Sequence, residues 1–270
     1  MYGRPDAIVF DLASRTPADH REEARCVVPD VLRHFAVKEI ELLLWTDGQG
    51  VASDIESCAP GSFIGVVLSC DDPTEVQAVD RALTEWESSH GIPTGALTIE
   101  LVFSTNKAVQ NVERLATASS RIVALAMDDE MLLEEMRATP SSNQDRLLYH
   151  RGRISIAAAS VGLQAHALGY ANGTVEDRAQ SSREAGFRGA LCFDSHEVAS
   201  CNAGFSPSRH EVDTARLIQD AMHSAIEDGK GAVAVSQGQM ADLANVRGAL
   251  ATIAWSDAVK KREDPRVSGS

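Results

Sequence analysis

Seven short apolar runs, each followed by a longer polar or helix-patterned stretch, constrain this chain's fold more than any other feature. The runs are Ala7–Leu12, Ile40–Trp45, Phe63–Leu68, Leu97–Phe103, Arg121–Ala126, Ala165–Leu168 and Gly189–Phe193. Runs of this length bounded by polar and turn residues read as buried strands. Between them the spacing predicts helices over Ala18–His34, Pro73–Ser89, Asn106–Ala118, Asn143–Gly162 and Thr174–Ala185. In the second of these, Val76, Val79, Leu83 and Trp86 fall on one face. Alternation of strand and helix places the chain in the α/β class.

At 270 residues, 44% apolar and 24% charged, the chain is long enough for one large domain. Its net charge of −14 gives no overall basic footprint for nucleic acid and repels anionic membrane surfaces. The five cysteines, Cys26, Cys58, Cys70, Cys192 and Cys201, show no Cys-x-x-Cys spacing. They read as reduced thiols rather than a disulfide frame or a zinc site. No apolar run approaches the roughly 18 residues of a membrane helix, and no signal peptide opens the sequence. The expected compartment is the cytoplasm.

The segment Gly186–Val246 says most about function. After the Gly189–Phe193 run come Asp194-Ser195-His196 and then Phe205-Ser206-Pro207-Ser208. Ser208 is placed to cap a helix over Arg209–Glu227, with Glu211 completing a capping box. That helix ends at Asp228-Gly229-Lys230-Gly231, and a short strand, Ala232–Val235, leads through Gln239-Met240-Ala241-Asp242 to a last helix. The order of Gly186-Phe187, Gly189, Cys192, Asn202, Phe205 through Ser208, Glu211-Val212, Gly229 through Val233, and Met240 with Asp242 resembles the end of the citrate lyase beta subunit family. That family includes malyl-CoA and citramalyl-CoA lyases. The resemblance covers nearly the whole chain and implies a (β/α)8 TIM barrel with a C-terminal helical extension packing on a neighbouring subunit. It implies a homo-oligomer, a trimer or a hexamer made as a dimer of trimers. The matching division is a barrel over residues 1–205, an extension over 206–259 and a flexible tail over 260–270.

Members of that family hold Mg²⁺ through a Glu and an Asp and the substrate carboxylate through an Arg, and they make or break a carbon–carbon bond beside a thioester. The metal polarises the carbonyl and stabilises the enolate. In such barrels the chemistry sits at the carboxyl ends of the strands, and there this sequence departs from the pattern. Asp11 remains, but the family's next two acids are Ala13 and Ser14. Trp45 replaces the Arg, with Asp47 close by, and Cys70 replaces a Lys. In Ser104-Thr105-Asn106-Lys107, Ser104 stands for the ligand Glu; an alternative register would use Glu100. Met131 stands for the ligand Asp, after Asp128-Asp129-Glu130. Asp242 keeps the family's identity, which implies proton transfer in a neighbouring subunit's site. Its position before Leu243 equally suits a helix N-cap.

These substitutions predict no metal held in the family's manner, unless on a shifted site of Asp11 with Asp128, Asp129 or Glu130. The last three acids equally suit a helix N-terminus. The candidate pocket is Asp11, Trp45, Asp47, Cys70, Ser104, Asn106 and Lys107, with Asp242 or the Asp194 and His196 pair moving protons. Against these stand plainer readings. Cys70 is an inert buried thiol, Asp194 a cap and Lys107 a solvated lysine, and Trp45 either fills the old carboxylate pocket or stacks on a planar ligand. Three functions fit: a metal-independent enzyme acting on a small acyl or carboxylic substrate, carried as a CoA or carrier-protein thioester; a non-catalytic partner of another enzyme; and a Mg²⁺-dependent lyase with a shifted metal site.

Overall fold

The structure, a computed structural model, describes residues 4–36, 40–138, 144–168, 174–227, 231–235 and 240–263. The chain forms two compact units, Met1–Gly204 and Phe205–Ser270. In the first, strands β1 (Ala7–Asp11), β2 (Glu41–Thr46), β3 (Gly65–Ser69), β4 (Thr98–Phe103), β5 (Ile122–Asp128), β6 (Gln164–Leu168) and β7 (Gly189–Leu191) lie in sequence order in one parallel sheet. The helices are α1 (Arg21–Ala36), α2 (Val51–Glu56), α3 (Pro73–Ser89), α4 (Asn106–Gln110), α5 (Val112–Ala116), α6 (Asp129–Glu135), α7 (Leu148–Ser160), α8 (Val175–Glu184) and α9 (Val198–Phe205). The helix expected over Asn106–Ala118 is broken at Asn111, and 3-10 turns at Ala18–His20 and Gln144–Leu147 precede α1 and α7.

The expected eight strands are seven in this sheet, and among the described residues β1 and β7 are not paired. The chain turns helical after β7 because Asp194 caps a 3-10 turn over Ser195–Glu197 that runs into α9. Two contacts nevertheless draw the sheet's edges together. The Asn202 side chain on α9 donates to the Arg4 carbonyl oxygen ahead of β1, at 3.0 Å. Past the other ends of the strands, the Arg15 guanidinium lies 3.7 Å from the centre of the Phe193 ring. The sheet is therefore curled, and α9 spans part of the gap an eighth strand would close.

Residues paired in register share a face of the sheet. The inner face is a packed core of Leu43, Trp45, Val67, Val102, Ala126 and Leu168, with Val9 and Leu191 against it. At the amino-terminal end of the strands the Arg121 side chain is 3% exposed and clamps Glu87, with both Nη–Oε distances 2.7 Å. Its Nε donates to Asp80 Oδ1 at 2.6 Å, and the Glu87 oxygens also accept the Gly95 and Leu97 amides at 2.9 and 2.8 Å.

The second unit pairs helix α10 (Arg209–Glu227) with α11 (Leu243–Glu263) around an antiparallel hairpin of β8 (Ala232–Ala234) and β9 (Met240–Asp242). Met222, Ala225 and Ala241 form its core, with Ile218, Val233 and Val246 packed against them. The capping box forms as the sequence predicts: Glu211 N donates to Ser208 Oγ at 3.2 Å and Ser208 N to Glu211 Oε2 at 2.8 Å. Helix α11 continues past Lys260 to Glu263. Residues 264–270, Asp228-Gly229-Lys230, Gln239 and Asn143 lie outside the described residues. Among the described residues no helix is long and apolar enough to cross a membrane.

Candidate functional site

Several residues marked out by the sequence are used up by the fold itself. Asp11 organises the loop after β1: its Oδ1 accepts the Ala13 and Ser14 amides at 2.9 and 2.7 Å, and its Oδ2 the Arg15 amide at 2.9 Å. Asp47 binds the Gln49 amide at 3.1 Å, the Gly50 amide and the Arg21 guanidinium, whose other arm holds the Ala13 carbonyl at 3.1 Å. Burial opposes ionisation of Asp47, but the Gly50 amide and Arg21 outweigh it and hold its pKa below the usual carboxylate value. Trp45 is 4% exposed and fills the inner face of the sheet beside Val67 and Val102. Burial, with Glu75, Asp71 and Asp72 nearby, pushes the Cys70 thiol up to about 12, far from a reactive thiolate. Glu100, the alternative metal ligand, is paired with His166 Nδ1 at 2.7 Å below the mouth.

The other candidates are dispersed. Ser104 is half-buried just past β4. Asn106 gives its amide to Glu135 Oε2 and accepts from His150 Nε2, each at 2.9 Å. Lys107 is exposed, 3.9 Å from Asp71 Oδ2. Asp194 accepts the His196 backbone amide at 2.8 Å, so their contact runs through the main chain rather than the ring. Asp242 caps α11 reciprocally, its Oδ1 taking the Asn245 amide and its own amide donating to Asn245 Oδ1, both at 2.9 Å.

The groups with unusual electrostatics are others, gathered where β5 meets α6. Asp128 ends β5 in register with Leu168 of the inner face and caps α6 by accepting the Met131 amide at 3.1 Å. Burial raises its pKa, opposed by the Met131 amide and by Arg15. Asp129, 5% exposed, takes Arg151 Nη2 on Oδ2, while its buried Oδ1 has no hydrogen-bond partner among the described residues. Desolvation overrides Arg151 and pushes its pKa up to about 6. Arg15, which stacks on Phe193, lies 3.5 Å from Glu130. His150, 8% exposed, is held below its ordinary pKa by burial, and its Nδ1 has no partner among the described residues. Arg151 and His150 lie 22 and 44 positions from their partners, and no local pattern singles them out.

Among the described residues, Asp11, Asp129 and Glu130 do not converge on a divalent cation. Hard ions need several oxygens left free to converge, whereas three backbone amides occupy Asp11, Arg151 holds Asp129 and Arg15 faces Glu130. Among the described residues no three His, Cys, Asp or Glu side chains gather into a cage.

A model of the HpcH/HpaI aldolase/citrate lyase family matches residues 1–201. The chain belongs to that family. It is similar to the citrate lyase subunit beta of Haemophilus influenzae, with 26% identity over 247 residues that cover 88% of this chain and 84% of the relative. Its fold is similar to that of a citrate lyase from Burkholderia xenovorans, with a TM-score of 0.78 at 15% identity, covering 94% of this chain and 84% of that one. It is also similar to CitE from Mycobacterium tuberculosis in complex with magnesium, acetoacetate and coenzyme A, with a TM-score of 0.72 at 17% identity over 93% of this chain and 90% of that one. The chain is thus a distant citrate lyase beta homologue with the family's barrel-like α/β fold, in a family of lyases and aldolases.

Proposed function

We propose that this family member is a metal-independent enzyme that acts on a small acyl or carboxylic substrate, presented as a thioester of coenzyme A or of a carrier protein. The observation that carries the reading is the group around Asp129: a buried carboxyl with pKa about 6, anchored by Arg151, next in the chain to Asp128, whose charge Arg15 favours. A carboxyl poised there is present in both protonation states near neutral pH, as an acid–base group requires. Arg15 retains guanidinium donors for a substrate carboxylate, from a different strand end than the arginine that Trp45 replaces. The acetoacetate and coenzyme A held by CitE from Mycobacterium tuberculosis agree with that substrate class. Asp194 with His196, and Asp242 supplied from a neighbouring subunit of a trimer or hexamer, complete the proposed proton carriers.

One observation favours a non-catalytic partner instead: Asp11, Trp45 and Asp47 are absorbed into loop structure and packing. Calorimetric titration of the full chain with acetyl-CoA and with acetoacetate, each with and without Mg²⁺, separates the readings. The expected result is binding without Mg²⁺, with acetoacetate weakened about tenfold or more by Arg15→Met, the loss of a charge-assisted hydrogen bond. Binding of neither ligand supports the partner reading. Binding only with Mg²⁺ restores a lyase with a shifted metal site.

A further inference from the structure

Cys192 follows β7 directly and Cys201 lies on α9, the helix whose Asn202 holds the chain ahead of β1. Their sulfurs are 3.2 Å apart, both thiols are free, and both residues are half-buried. A disulfide bond is about 2.05 Å long, so closure needs the sulfurs to approach by only about 1 Å. Among the described residues no other pair of thiols comes so close: Cys26 is exposed, Cys58 contacts Ser57 Oγ and the Asp54 carbonyl, and Cys70 is partly buried just past the end of β3. The sequence spacing predicts reduced thiols rather than a disulfide frame, and the fold brings two of them together.

We propose that Cys192 and Cys201 are a reversible dithiol–disulfide site that peroxide oxidises selectively, stapling the end of β7 to α9. The Cys192 thiol donates to Cys201, and this hydrogen bond holds the Cys201 pKa below the ordinary thiol value and Cys192 above it. Cys201 is therefore the attacking sulfur. Its thiolate attacks one peroxide oxygen, the O–O bond breaks, the departing hydroxide takes a proton and leaves as water, and a sulfenic acid remains. The Cys192 sulfur then attacks the sulfenyl sulfur. The S–S bond forms as the S–O bond breaks, and a second water carries away the hydroxyl group with the Cys192 proton. Two thiols and one hydrogen peroxide give one disulfide and two waters, the sulfurs losing the two electrons that the peroxide oxygens gain. A dithiol reductant reverses the step by exchange.

The test uses the full chain, reduced, freed of reductant and treated with hydrogen peroxide, then alkylated and digested with trypsin. Both cysteines fall in the single peptide Gly189–Arg209. The expected product is that peptide lighter by two hydrogens and unalkylated, restored to two alkylated cysteines by dithiothreitol. Its thiols should be lost at least about tenfold faster than Cys58, whose thiol burial pushes up to about 11. The same treatment in urea should abolish this selectivity, and this readout needs no variant to fold. Cys201→Ser should leave Cys192 alkylatable at a rate near that of Cys58. Two alkylated cysteines in the native peptide after peroxide, or disulfide-linked dimers through Cys26 instead, would overturn the proposal.

Discussion

Two buried acid–arginine pairs sit at opposite ends of the strands, and they are built differently. At the amino-terminal end, Arg121 meets both oxygens of Glu87, which also bind the Gly95 and Leu97 amides. Burial opposes the Glu87 charge, but the hydrogen bonds from Arg121, Leu97 and Gly95 win and hold its pKa below the usual value. At the carboxyl-terminal end, Asp129 meets Arg151 through one oxygen and leaves the other buried without a partner among the described residues, so burial wins and the pKa rises. A low dielectric strengthens a satisfied network and penalises an unsatisfied one. The first pair is a structural fastening. The second keeps a proton-binding carboxyl at the end of the sheet where barrel enzymes do their chemistry.

The largest expected difference between them is in stability. Arg121→Met leaves Glu87 charged, fully buried and short of its cation, and should lower the unfolding free energy by about 3–5 kcal/mol. Arg151→Met should cost less, about 1–2 kcal/mol, because Asp129 can take up a proton instead of standing as a bare buried charge. Urea unfolding at pH 7 of the two variants beside the wild type measures both. Equal losses would erase the distinction.

The pH dependence has opposite signs at the two ends. The Glu87 pKa is depressed from 4.5, so its contribution is present above that value and is lost as pH falls through the lower folded pKa. The Asp129 pKa is raised from 3.8 to about 6, so the folded chain binds this proton more tightly than the unfolded chain does. Its contribution is therefore fully favourable below about 3.8 and is lost as pH rises through 6. Replacing Asp129 by Asn removes that term. The wild-type stability minus that of Asp129→Asn should grow by an amount on the order of 1–3 kcal/mol as pH falls from 7 to about 4. Unfolding curves at several pH values check it, and a flat difference would place Asp129 with the satisfied pair.

What could be read from the sequence follows from how far apart the interacting residues lie. Helix α3 begins at Pro73 and α10 follows Ser208 with Glu211, as expected, because these start signals act within four residues. The parallel sheet was legible for the same reason, each strand announcing itself as a local apolar run. The end of the seventh strand is not settled by pattern, since three residues at Gly189–Leu191 and a cap at Asp194 decide where pairing stops among the described residues. The site was less legible still. Trp45 and Asp47 drew attention because they occupy positions where the family has polar ligands, yet residues from other strands and from α1 determine that one is core and the other a loop fastening. Asp129 was visible only as one of three acids at a helix start, because the arginine that anchors it arrives from α7.

The smallest effect is expected at Lys107, and it sharpens the comparison from the side of binding. Its ammonium is exposed and 3.9 Å from Asp71, a pairing too loose and too hydrated to matter for folding. Lys107→Ala should therefore shift stability by no more than about 0.5 kcal/mol. The same lysine stands at the start of α4, on the carboxyl-terminal side of the sheet, and among the described residues no buried acid pairs with it. If it meets the phosphates of a CoA thioester, acetyl-CoA affinity should fall several-fold in the variant, and the loss should shrink as salt is raised, since screening weakens an exposed charge contact. An unchanged affinity at low salt would return Lys107 to the solvated surface and leave Arg15 as the cation proposed to meet the substrate.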